Sequence, residues 1–339
     1  MRTNLLTVNE FEAAARIIRV GGLVGIPTET VYGLGANGLN PLAVDRIFQA
    51  KGRPQDNPLI LHIPDPSWLE RYCQDIPKSA WRLAKRFWPG PLTMILRRKS
   101  IVPDVVTAGL DTVGMRCPAH SVCRAVIQAA GVPVAAPSGN LSGKPSPTTA
   151  RHMLDDMDGR INAILDGGDC QVGVESTIID LTCRPPRLLR PGGVPLEELQ
   201  AVLGEVEVDP AVVRPLGDGE QPRAPGMKYR HYAPKAPVTV VRGDPLRSAQ
   251  YILDHITASY WEGVICFNEF AHWFEDHPVE QLGGSLDRFE HARRLFRALR
   301  AMDENGVKHI WAQCPDTAGM GLAVVNRLNK ASGFHIVDA

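Results

Sequence analysis

Two short apolar runs constrain this chain more than anything else in it. Leu23 to Pro27 ends in Thr28-Glu29-Thr30, and Leu59 to Ile63 carries His62 and follows Asn57. Each reads as a buried strand with polar groups where it meets solvent, and ligands favour such strand ends. Gly33, Gly35 and Gly38 between them read as a polar loop. Asn40 is then the expected N-cap of a helix with Pro41 at its first position, Val44, Ile47 and Phe48 at helical spacing, and Gly52 as its stop. Lys51 and Arg53 flank the end of that helix. Cations there offset the helix dipole, and beside an amide and an imidazole they also suit an anion. The residues alone leave both readings open.

The glycines match G-x-G-x-x-G, but a dinucleotide fingerprint follows a strand and opens directly into a helix. Here the helix waits until Pro41. Asp56 stands at about the right distance for a ribose-binding acid, yet it precedes a strand instead of ending one. A nicotinamide nucleotide is therefore a poor fit.

At 339 residues the chain is long enough for two domains. Its 37 basic and 37 acidic residues cancel, which argues against a protein that grips nucleic acid mainly by bulk charge and leaves room only for a local basic face. Seven cysteines without a C-x-x-C pair suit reduced thiols in a cytosolic protein. Met1 to Glu12 is polar and lacks a secretory apolar region, and no stretch has the length of a membrane span. His272, Asp276 and His277 match no strong metal spacing, and no metal-ligating residues are assigned.

Further along, Thr7 and Glu10 fit a capping box before an amphipathic helix through Ile18. Ser67 to Tyr72 and Lys78 to Phe87 read as helices, and Leu92 to Leu96, Val113 to Cys117, Pro133 to Ala136, Ala163 to Leu165, Ser176 to Leu181 and Arg187 to Leu189 as strands. Ser121 is the expected cap of a helix ending near Gly131. Arg116 lies in an apolar strand, where burial without a partner is costly. Arg82, Lys85, Arg86, Arg97, Arg98 and Lys99 cluster in sequence, as a solvated face or a docking surface for RNA backbone. Pro137 to Thr148 reads as a polar loop feeding a helix with Ser146 as N-cap and Pro147 first, an N-terminus with free amides for a phosphate. The prolines of 205–237 read as a linker, although Met227 to Tyr232 is unusually aromatic and basic. Beyond it, Val238 to Val241, Gly263 to Phe267 and Lys308 to Ala312 alternate with helical patterns, which predicts a small parallel α/β domain.

Pro27-Thr-Glu-Thr-Val-Tyr-Gly-Leu34, Lys-x-Arg at 51 to 53, Asn-Pro-Leu at 57 to 59 and Ser-x-Asn at 138 to 140 occur in the order found in YrdC-type threonylcarbamoyl-AMP synthases. The chain resembles their long, two-domain form, with the resemblance dense over roughly residues 8 to 200. It implies a twisted mixed α/β sheet with polar loops along one side over 1–204, an interdomain lid over 205–237, and a smaller parallel, Rossmann-like α/β domain over 238–339. It implies a cytoplasmic nucleotidyltransferase that joins L-threonine, bicarbonate and ATP with Mg²⁺, for the threonylcarbamoyl modification of tRNA completed by other proteins. By the same resemblance Thr30, His62, Arg116, Ala136 and Ser176 surround threonine. Lys51, Arg53, Asn57, Thr112, Ser138, Asn140, Ser146, Arg190 and Tyr232 surround ATP, with Lys51 and Arg53 catalytic. In this reading RNA contact is at most weak. The alternative is an RNA-binding or ribosome-assembly module with incidental nucleotide binding.

Overall fold

The computed structural model describes residues 2–214, 224–225 and 231–339. Contacts divide the chain into two units. Unit 1 is Met1–Ser142, Pro147–Gln171 and Glu175–Lys228, and unit 2 is Gly143–Ser146, Val172–Val174 and Tyr229–Ala339.

Unit 1 carries strands β1 (Asn4–Leu6), β2 (Val24–Ile26), β3 (Gly33–Asn37), β4 (Ile60–His62), β5 (Leu92–Arg97), β6 (Thr112–Arg116), β7 (Val134–Ala135), β8 (Ala163–Leu165), β9 (Thr177–Asp180), β10 (Arg187–Arg190) and β11 (Glu207–Val208). They form one mixed sheet in the order β1-β8-β2-β3-β7-β4-β6-β5-β9-β10-β11. Its helices are α1 (Phe11–Arg19), α2 (Pro41–Lys51), α3 (Leu69–Tyr72), α4 (Lys78–Phe87), α5 (Asp104–Thr107), α6 (Ser121–Ala130), α7 (Ala150–Met157) and α8 (Leu196–Leu203). Helices α1 and α6 bury Ala14, Ile18, Val126 and Ile127 against Val24, Ile26, Val134 and Leu165 of the sheet.

The glycine run is a strand, not the expected loop. β3 pairs antiparallel with β2, Val24 opposite Gly35 and Ile26 opposite Gly33. A Cβ at Gly35 would meet Val134 Cγ1 at 3.0 Å and one at Gly33 would meet Ala136 Cβ at 3.3 Å, so glycine here marks close approach within a crowded sheet. Helix α2 follows as expected. Asn40 Oδ1 accepts from Leu42 N and Ala43 N at 3.1 and 3.2 Å, and Gly52 ends the helix at φ 61°.

The helix expected from Ser146 instead starts at Ala150. The carbonyls of Pro147 and Thr148 accept from Tyr32 N and Cys170 N, which keeps that stretch extended, and Thr149 Oγ1 caps the helix through His152 N at 3.1 Å. Likewise His120, not Ser121, caps α6, its Nδ1 accepting from Cys123 N. The start of the segment read as a linker forms β11, which pairs parallel with β10. The Met227 to Arg230 part of that segment lies outside the described residues.

Unit 2 holds β12 (Val238–Arg242), β13 (Glu262–Cys266), β14 (Val279–Gln281), β15 (His309–Gln313) and β16 (Ile336–Asp338) with α9 (Pro245–His255), α10 (Arg288–Glu304) and α11 (Gly321–Ser332). The sheet is parallel throughout, in the order β14-β13-β15-β12-β16, as the alternation of strand and helix predicts. Its two edge strands, β14 and β16, are too short to show in the sequence pattern.

Candidate functional site

Strands β4 and β6 run side by side in parallel, with His62 in register with Arg116. On the other side of β4, β7 runs antiparallel, with His62 opposite Val134 and Leu61 opposite Ala135. This polarity sorts the expected residues. His62 and Arg116 end their strands at one end of this three-strand floor. Asn57, just before β4, and Thr112, which opens β6, lie at the other. Four residues of extended strand separate Thr112 from Arg116, about 13 Å. Ala136 sits between, donating its N–H to Ile60 O at 3.1 Å, and Ser138 bridges to Gly33 beyond it.

Contrary to the expectation of polar loops along one side, the strand ends do not fall together. Ile26 pairs with Gly33, which bridges Ser138, so β2 ends level with Ser138, whereas β4 ends level with Val134. Thr30 nevertheless receives a 2.9 Å hydrogen bond from Arg116 Nη2, because the Thr28–Thr30 turn bends back over the floor. The Thr28 and Thr30 hydroxyls share a 2.8 Å hydrogen bond, and Thr28 Oγ1 donates to Val31 O. The turn also delivers Glu29, which pairs with Arg116 at 2.9 Å with both side chains buried. The sequence offered Glu29 as a carboxylate at a strand end but nothing that tied it to Arg116.

Ser176 sits at the Arg116 end of the sheet, two strands over and roughly 10 Å away. Its hydroxyl shares a 2.8 Å hydrogen bond with Thr93 Oγ1. Arg190 Nη2 donates to Ser176 O and Oγ, and its Nη1 to Pro225 O. At the other end, Lys51 Nζ is buried and donates to Ser138 O and Asn140 O, both at 2.5 Å. Arg53 lies over the Phe48 ring and donates to Asn57 O at 3.1 Å.

The electrostatics follow from burial. Desolvation, and then the Arg53 charge, pull the Lys51 amine down to about 7. Desolvation and then Arg116 pull His62 down to about 3, so its imidazole is neutral at physiological pH. Several buried polar atoms have no hydrogen-bond partner among the described residues: Arg116 Nε, His62 Nδ1, and both side-chain polar atoms of Asn57. Buried polar groups are normally satisfied, so such atoms at both ends of the neighbouring strands β4 and β6 mark a place that a polar ligand completes. The arrangement has donors, cations and a neutral imidazole, and no nucleophile backed by a base.

Two expected residues belong to unit 2. Ser146 is fully buried there. Tyr232 is buried against Phe296, ring centroids 5.2 Å apart, with the Arg327 guanidinium 5.5 Å from its ring and its own φ at 64°. Of the basic cluster, Arg86, Arg97 and Arg98 pair with Glu198, Asp111 and Asp104, which favours the solvated-face reading.

A family model described as "Telomere recombination" (Sua5, YciO, YrdC) matches residues 16–192, and one described as "Threonylcarbamoyl-AMP synthase, C-terminal domain" matches residues 194–333. The threonylcarbamoyl-AMP synthase of Pyrococcus abyssi is 51% identical over 329 residues, covering 96% of this chain and 94% of that protein. That of Bacillus subtilis is 46% identical over 343 residues, covering 99% and 97%. The crystal structure of Pyrococcus abyssi Sua5 complexed with L-threonine is similar over 100% of both chains, with a TM-score of 0.89 and 47% identity.

Proposed function

Because this chain belongs to the Sua5/YciO/YrdC family and carries the C-terminal domain of threonylcarbamoyl-AMP synthases, we propose that it forms threonylcarbamoyl-AMP and pyrophosphate from L-threonine, bicarbonate and ATP. In this reading it is a cytoplasmic nucleotidyltransferase whose product passes to the tRNA threonylcarbamoyl-transferase machinery. Among the described residues no helix is long and apolar enough to cross a membrane. The observation that carries the reading is the set of buried, unsatisfied polar atoms on Asn57, His62 and Arg116, since small polar substrates would supply the partners that they lack.

Threonine lies against Thr30, His62, Arg116, Ala136 and Ser176. Arg116, balanced by Glu29, still has Nε for the substrate carboxylate, and the neutral His62 adds no competing charge. ATP extends along β4 and β6 toward Asn57 and Thr112, with Lys51, Arg53, Ser138 and Asn140 around it. The resemblance assigns Arg190, which holds Ser176 at the Arg116 end, and Ser146 and Tyr232 to ATP as well. Threonine and bicarbonate give a carbamate with loss of water, and one carbamate oxygen attacks the α-phosphorus in line while the P–O bond to the leaving pyrophosphate breaks. Such a step needs positioning and neutralised charge more than a protein nucleophile, and Lys51 and Arg53 supply the charge. Mg²⁺ enters on the phosphates of ATP. Among the described residues no three His, Cys, Asp or Glu side chains gather to hold a metal.

Incubation with threonine, bicarbonate, ATP and Mg²⁺, followed by mass spectrometry, tests the proposal. Pyrophosphate and an AMP-linked acyl product are expected only when threonine and bicarbonate are both present. Pyrophosphate release independent of either overturns it.

A further inference from the structure

Unit 1 has a cleft of about 640 Å³ that shares no lining residue with the site above. Its walls are the start of α4 (Pro77, Lys78, Ser79, Arg82), the turn from β9 to β10 (Leu181 to Pro186) and the end of α8 (Leu203, Glu205). Three cations line it, Lys78, Arg82 and Arg184, against one carboxylate, Glu205. None of the three forms an ion pair or side-chain hydrogen bond with the described residues, unlike Arg86 on the same helix, which meets Glu198 at 3.5 Å.

Like charges crowded at the start of a helix are unfavourable, because the positive end of the helix dipole repels them. Here α4 begins with two cations in its first five residues and has no side-chain cap on its first amides. Lys78 and Ser79, whose N–H groups open the helix without a side-chain cap, line the cleft together with the cations. A carboxylate of the chain itself would be the ordinary remedy, and Glu205 is the one carboxylate lining the cleft. The volume falls within the range of small-ligand sites.

We infer that this cleft binds a small anion bearing phosphoryl groups. Two guanidiniums and backbone amides match the several acceptor oxygens of a phosphoryl group, and an ammonium adds charge without fixed geometry. Each contact is charge-assisted and exposed, so the affinity is sensitive to salt.

A built-in reporter lines the cleft. Cys183 is half-buried, and the other six cysteines are buried. The rate at which neutral iodoacetamide alkylates Cys183, read by peptide mass spectrometry, is to be measured with pyrophosphate, with AMP, with citrate as a phosphate-free anion, and with a short RNA. Pyrophosphate at ten times its dissociation constant slows alkylation about tenfold by mass action. The slowing is lost in Arg82→Ser and in Arg184→Ser, whose side chains are exposed and unpaired. Protection by AMP as well identifies nucleotides as a source of the phosphoryl group, and protection by pyrophosphate alone points to free inorganic polyphosphate. A rate unchanged by both phosphates, equal protection by citrate, protection by RNA alone, or protection that survives both substitutions overturns the inference.

Discussion

Glu29 and Arg116 meet at 2.9 Å in the interior of unit 1, Arg116 holding Thr30 with the same nitrogen. Thr30 and Arg116 are 86 positions apart, so the pair fastens the turn after β2 to the end of β6. A buried pair of this kind contributes little net stability when intact but is costly to break, because the surviving charge has no partner.

Arg116→Ala therefore has two expected effects. It lowers unfolding stability by about 3 to 5 kcal/mol through the uncompensated Glu29 carboxylate. It weakens threonine binding by about 2 to 5 kcal/mol, and lysine rescues poorly because it lacks the planar fork. Adding Glu29→Gln to Arg116→Ala recovers stability but not affinity. Denaturant melts and calorimetry separate the two, and unchanged threonine affinity in folded Arg116→Ala removes this residue from the site.

Lys51 gives a proton-linked signal. With its pKa pulled to about 7, the amine is mostly neutral at pH 8 and charged at pH 6. Triphosphate beside it favours the charged form, so ATP binding takes up as much as one proton at pH 8 and almost none at pH 6. Calorimetry in buffers of different ionisation enthalpy reads the number. Uptake that persists in Lys51→Gln assigns the proton elsewhere.

His62 is expected to act on stability over an acidic range. Its folded pKa of about 3 lies below the ordinary 6.5, so between these values the unfolded chain binds more protons than the folded one. Its contribution is present above pH 6.5 and is lost as the pH falls toward 3. His62→Asn flattens that part of the pH–stability curve. An unchanged slope in the variant shows that another group carries it.

For Tyr232, the ring contacts predict which part of the side chain matters. Stacking on Phe296 and the Arg327 guanidinium are together worth roughly 1 to 2 kcal/mol. Tyr232→Ala raises the KM for ATP about tenfold, a change of about 1.4 kcal/mol, and Tyr232→Phe, which keeps the ring, does so less. Equal KM values for wild type and Tyr232→Ala leave the residue outside ATP use.

What the sequence made legible was local. Asn40, Pro41 and Gly52 set the limits of α2, and the alternation after residue 238 announced a parallel sheet. Gly33 and Gly35 misled because a strand built from glycine has no side-chain alternation to read, and its reason for being glycine lies in Val134 and Ala136, a hundred residues downstream. Ser146 misled for a similar reason: Tyr32 and Cys170 engage the carbonyls that would have begun a helix, and no local spacing reveals them. Arg116 stood out as a cation in an apolar strand, whereas Glu29 became visible as its partner only once the chain was folded.

The first strand carries a delay into the birth of the protein. Asn4 pairs with Ala163 and Leu6 with Leu165, and β2 also rests on β8. A ribosome working at ordinary speed needs roughly 8 to 32 s to pass from Leu6 to Leu165. Until then β1 has no neighbour and one flank of β2 stays open. Strand β1 and the open flank of β2 therefore wait unpaired through that stretch of translation, and slowing synthesis before Leu165 prolongs their exposure.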